Sequence, residues 1–324
     1  MFDIHIPEKD DLLKLYAQIE PGQLSMLYAV CLGLKPLMDT FLRYEHFLAL
    51  KEKAKTKGIL FGHNGIMMSH PQERFLRRKE RRRNLGTTKM IAIPFDEERK
   101  DALVHAFISR SPDKIEEARK LTWYNLFVGE HQLVQPAIDN FRYGATLGFP
   151  DCCVRFYAGH NGRFLDDNHT WEWNTPFEVY RNTRGEFSFL CNHIPMDHCY
   201  FLIHHYPCSY NCPETIKLAG DILEGIRSID REYGDKIERY LKLPYLLFNE
   251  KKAFVFEGEI KGNRITYSDC HFLGDKRDLA TYMDITKGDC VEVHEDYIVV
   301  FRGSNEITRY PLEGDFEGKI YKFG

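Results

Sequence analysis

Six of the nine cysteines fall between Cys152 and Cys212. One end of this window reads Gly148-Phe149-Pro150-Asp151-Cys152-Cys153, and the other reads His204-His205-Tyr206-Pro207-Cys208-Ser209-Tyr210-Asn211-Cys212. Cys191, His193, His198 and Cys199 lie between them. In a reducing compartment, clustered cysteines serve as metal ligands or redox groups more often than as structural disulfides. The odd total of nine fits that use. A fold for this chain therefore has to bring thiols together for metal or thiol chemistry, with the other segments as scaffold.

Each cysteine pair stands beside a proline-led helix start. Pro150 fits early in a first turn, which puts Cys152 and Cys153 at the positive end of a helix dipole. Pro213 fits the first position of a long helix from about Glu214 to Tyr240, which leaves Cys212 at its cap. The positive end of a helix favours a thiolate or an anionic metal cluster, so the two pairs are expected to converge on one site.

The spacings narrow the chemistry. Structural zinc sites pair Cys-x2-Cys knuckles, whereas this chain has adjacent cysteines and a Cys208-x3-Cys212 pair. Radical S-adenosylmethionine enzymes need a third cysteine where Thr215 stands. An iron–sulfur cluster accepts thiolates from distant segments, and Cys153, Cys208 and Cys212 with one of Cys152, Cys191 or Cys199 would suffice. Zinc with mixed Cys/His ligands is the alternative cofactor. Adjacent cysteines do not easily bind one ion, so one of Cys152 and Cys153 is expected to be structural or a resolving thiol. His204 and His205 are candidate catalytic proton donors or further ligands. His160 and His169 read as ordinary histidines, and Trp171, Trp173, Phe177 and Tyr180 as core or pocket wall.

The motif pair G-[F/Y]-P-x-C-C and H-x-P-C-x3-C resembles the hallmark of an uncharacterised prokaryotic family, a domain of unknown function. The likeness covers mainly residues 125–240. It implies that the cysteine window is a family feature, and it carries no activity, fold or substrate with it. The window is also similar to the cysteine-rich domain of heterodisulfide reductases. That domain closes with Cys-x2-Cys and has glycine after its Cys-Cys, where this chain has Cys-x3-Cys and Val154.

Outside the window the chain of 324 residues reads as α+β. A mainly helical N-terminal region is expected over 1–125, with two or three helices between Asp10 and Lys57. A strand or turn is expected over Gly58–Gly65, a short strand over Lys89–Phe95, and helix again from Asp96 to Leu121, restarting at Pro112. The Cys/His-rich domain takes 126–243. A small antiparallel β barrel or sandwich takes 244–324, with a hairpin at Lys261-Gly262-Asn263. Arg74 to Arg83 holds seven cations in ten residues, and Arg77, Arg78, Arg81 and Arg82 are candidates to bind an anionic small molecule or RNA. The net charge of −4 argues against a surface built wholly for nucleic acid.

No apolar run nears the ~18 residues of a membrane span, and the N-terminus lacks a basic region followed by an apolar core. A cytoplasmic location is expected. The leading expectation is an iron–sulfur protein, with enzymatic activity on an anionic or nucleic-acid-derived substrate. A zinc-stabilised RNA-binding protein and a thiol–disulfide redox protein are the alternatives.

Overall fold

The computed structural model describes residues 5–69, 91–121, 126–128, 131–133, 139–164, 171–196, 200–249, 252–274, 279–312 and 317–324. The chain divides into two compact units. One comprises Ile6–Glu20 and Met26–Val154; the other comprises Met1–His5, Pro21–Ser25 and Arg155–Gly324.

The first unit is built on a four-stranded antiparallel sheet. Its strands are β1 (Leu37–Arg43), β2 (Leu60–Ser69), β3 (Ile91–Pro94) and β4 (Leu103–Ser109), in the order β1-β4-β2-β3. Helices α1 (Asp11–Ile19) and α2 (Leu24–Cys31) precede the sheet, and α3 (Tyr44–Ala54) follows β1. Asp10 caps α1 by accepting from Leu12 N and Leu13 N at 3.0 and 3.1 Å. Side chains alternate across a strand, so Phe61 and His63 face α3, where both rings meet Phe47. Gly62 and its partner Phe107 face the other way, toward α4 (Pro112–Leu121). A Cβ at Gly62 would lie 2.3 Å from Ile115, so only glycine lets α4 come so close. Leu37, Phe107, Ile115, Ala118 and Leu147 form the core beneath α4 and α5 (Asn140–Thr146). The short hairpin β5 (Leu126–Val128) and β6 (His131–Leu133) also belongs to this unit.

This corrects the mainly helical reading of the N-terminal region. Leu37–Arg43 and Leu103–Ser109 are strands. Every residue of β4 after Leu103 is buried, because helices cover the sheet on both sides. Such a strand carries no two-residue alternation to read. The strand before Pro94 and the helix start at Pro112 are where the sequence placed them.

The second unit contains most of α6 (Asp151–Phe164), then α7 (Trp171–Asn182), α8 (Pro213–Ile229) and α9 (Arg231–Leu241). The single helix expected after Cys212 is two. Asp230 leaves helical geometry (φ −140°, ψ 83°), ends α8 and caps α9 by accepting from Tyr233 N at 3.1 Å. His5 also holds it, with Nε2 2.7 Å from Oδ2.

A seven-stranded antiparallel sheet follows: β7 (Tyr245–Asn249), β8 (Lys252–Lys261), β9 (Arg264–Gly274), β10 (Cys290–Val293), β11 (Tyr297–Arg302), β12 (Asn305–Pro311) and β13 (Lys319–Tyr321). Its order is β12-β11-β10-β9-β8-β7-β13, and α10 (Leu279–Lys287) lies between β9 and β10 in sequence. Gly262 (φ +64°) turns the β8–β9 hairpin as expected. The sheet is open, with β12 and β13 as its two edges, and this corrects the expected barrel. Closure requires the edge strands to pair, but β12 pairs with β11 and β13 pairs with β7. Phe254, Phe256, Ile265, Val291, Ile298 and Val300 form its core, with Ile285 from α10. The chain end is pinned within the same unit: Phe323 bridges Phe187, and Phe189 N donates to Gly324 O at 3.1 Å.

Candidate metal centre

The two helix starts lie where the sequence placed them. Cys152 and Cys153 occupy the first turn of α6, and Cys212 is the N-cap of α8 with Pro213 in its first turn. Among the described residues, the Sγ atoms of Cys152, Cys153, Cys208 and Cys212 lie within 4.8 Å of one another. The Cys152 and Cys153 sulfurs are 3.8 Å apart. Cys153 and Cys212 are buried, whereas Cys152 and Cys208 reach the surface.

Backbone and side-chain contacts set the entry to α6. Gly148 has a positive φ of 74° and passes so close to Pro36 that a Cβ would lie 2.5 Å from its ring. Only glycine combines that dihedral with that approach. Phe149 N donates to Gly144 O at 3.0 Å, and Cys153 N to Pro150 O at 2.9 Å. Lys35 completes the clamp, with its Nζ donating to Leu147 O at 2.8 Å and sitting 4.6 Å from the Phe149 ring centre. Burial lowers the Lys35 pKa to about 8, against a smaller opposing pull from Asp39.

The Cys208–Cys212 loop is braced from its own side. Tyr210 N donates to Thr183 Oγ1 at 2.8 Å, and Ser188 N donates to Tyr210 O at 2.8 Å. Cys212 N closes the turn onto Ser209 O at 3.2 Å, while the Asn182 amide holds the Cys208 carbonyl. Parallel rings of Tyr157 and Tyr206, with centres 5.8 Å apart, stand one helical turn from Cys153 and two residues from Cys208.

The other candidates take separate places. Cys191 is fully buried and outside the group of four; its thiol points at the Cys212 carbonyl, 3.7 Å away. Burial, helped by nearby Cys212, pushes its pKa up to about 12, so it stays a protonated thiol at neutral pH. His205 is buried with Nε2 3.1 Å from Thr215 Oγ1, and His204 packs its ring 5.9 Å from that of Phe201. Neither histidine belongs to the group of four. Cys199, His198, His169 and the basic stretch with Arg77, Arg78, Arg81 and Arg82 lie outside the described residues.

Two residues matter more than the sequence suggested. His193 is only 2% exposed, and neither ring nitrogen has a close, well-aligned hydrogen-bond partner among the described residues. Its ring stacks on Tyr210 at 5.6 Å and meets Tyr206 edge-on at 5.2 Å. Burial drives its pKa down to about 3, against a weak opposing effect of the Cys191 carbonyl, so the ring is neutral. The other is Lys35, which lies between Gly33 and Pro36 in the short link from α2 to β1. No periodicity links it to Leu147, 112 residues away.

Chemically, the group is a set of soft donors. Four thiolates around a divalent ion sum to about −2, and the N-termini of α6 and α8 are suited to offset that charge. The donor set fits a thiophilic metal ion. The chain matches no family model, no curated protein and no solved structure.

Proposed function

We propose that this is a metal-binding protein whose Cys152, Cys153, Cys208 and Cys212 thiolates hold one tetrahedral ion, with zinc as the resident metal. The observation that carries this reading is the mutual approach of the four sulfurs within 4.8 Å. A zinc–sulfur bond of about 2.3 Å gives a tetrahedral edge of about 3.8 Å, and the Cys152–Cys153 separation is 3.8 Å. In a four-iron cluster each thiolate binds a separate iron, so its sulfurs stand farther apart than those sharing one ion. The spacing therefore supports a single ion over the iron–sulfur cluster expected from sequence.

Metal and acid-labile sulfide analysis of the full chain, purified without oxygen, tests this. About one zinc per chain without sulfide is expected, with loss of metal in Cys208→Ala/Cys212→Ala. Iron with stoichiometric sulfide would restore the cluster reading. A metal-free protein, or a double variant with unchanged metal content, would overturn the site.

A further inference from the structure

We propose that Cys152 is an exchangeable ligand of this centre, and that the position it vacates accepts the thiolate of an organic thiol. This rests on the metal reading above and goes beyond it, because four permanent thiolates would make a closed structural site whereas three leave an open position.

The four thiols are not equivalent. Cys153 faces the core, at 2% exposure, and its helical turn is fixed by the clamp at Gly148 and Phe149. Cys212 is equally buried and is locked as the cap of α8. Cys208 sits in a loop held from both sides by Asn182 and Thr183. Cys152 is placed differently: it lies in the first turn of α6, where it and Asp151 both open to solvent. Successive residues on a helix point about 100° apart, so a sulfur at 152 reaches the point served by Cys153 only by bending across the helix surface. Of the two adjacent ligands, the exposed one is the one that can leave.

The surroundings suit an organic thiolate. The positive end of α6 favours an anionic sulfur. Tyr157 and Tyr206 are partly exposed and stacked on each other, one helical turn after Cys153 and two residues before Cys208, and offer aromatic surface for an apolar substituent. The exchange is balanced and involves no oxidant. The incoming thiol forms the metal–sulfur bond as the bond to Cys152 breaks, and its proton ends on the released Cys152 sulfur.

Cobalt(II) replaces zinc as a visible reporter in the chain of 324 residues, with benzenethiol as the probe. Cys152→Ala should retain one cobalt per chain. Benzenethiol should then raise its sulfur-to-cobalt charge-transfer absorption by roughly a third, as three Co–S bonds become four. Methyl phenyl sulfide, which has the ring but no ionisable S–H, should leave the spectrum unchanged. Cys153→Ala should lose the metal. If Cys152→Ala loses cobalt as Cys153→Ala does, or if benzenethiol leaves its spectrum unchanged, the exchange proposal falls while the metal site stands. If the wild-type chain binds no cobalt, the metal reading itself fails.

Discussion

Lys35 Nζ donates a 2.8 Å hydrogen bond to the carbonyl oxygen of Leu147 from a position only 4% exposed. Leu147 is the C-cap of α5, so the ammonium sits at the negative end of a helix, one residue before Gly148 and five before Cys152. A residue far upstream thus braces the turn that delivers the adjacent cysteines.

The buried ammonium has a pH signature. Its pKa is about 8 when folded and near 10.5 when unfolded, so between these values the unfolded chain binds more protons. This contribution makes stability rise with pH across that window, and its cost is fully present below pH 8. From 1.36 kcal/mol per pKa unit, wild type should gain about 3 kcal/mol relative to Lys35→Met between pH 7 and pH 11. Denaturant unfolding of both proteins across that range measures the difference. Equal pH slopes would show that Lys35 is not buried as described.

Gly148 and Gly159 form an internal comparison. Gly148→Ala meets both a positive φ and the Pro36 ring, and should cost about 2–3 kcal/mol. Gly159 is exposed in α6, and a methyl group there would meet nothing within 4 Å, so Gly159→Ala should stabilise by about 0.5–1 kcal/mol. Chemical denaturation of the two variants should give shifts of opposite sign.

His193 should set part of the acid limit of the fold. Its pKa is about 3 in the folded protein against 6.5 as an ordinary histidine, so the unfolded chain takes up the extra proton between those values. Stability is therefore lost as pH falls through that window. With metal removed by chelator, to separate this effect from ligand protonation, His193→Phe should unfold at lower pH than wild type. Circular dichroism against pH reads the midpoint; an unchanged midpoint would count against a neutral buried imidazole.

Asp230 joins a cap to a side-chain hydrogen bond, through Tyr233 N at 3.1 Å and His5 Nε2 at 2.7 Å. Asp230→Ala should cost about 1–2 kcal/mol through the lost cap. Asp230→Asn retains the capping oxygen and should recover most of that loss in thermal melts.

What the sequence determined by itself was local. Pro150 and Pro213 announce helix starts because a first-turn proline forfeits only an N–H that has no intrahelical partner. That places Cys152, Cys153 and Cys212 at helix N-termini, as the fold has them. Gly262 marks its hairpin for a similarly local reason, its positive φ. Tertiary structure decided the rest. It made β4 a strand, since a segment covered on both faces loses the alternation that would identify it. It left the seven-stranded sheet open, because closure depends on which edges meet and not on strand composition. It also brought Cys152 and Cys153 together into one thiol group with Cys208 and Cys212, and turned Cys191 toward a backbone carbonyl. The reason is physical: a thiol's role depends on where its sulfur points and what surrounds it, and both are set by segments distant in the chain.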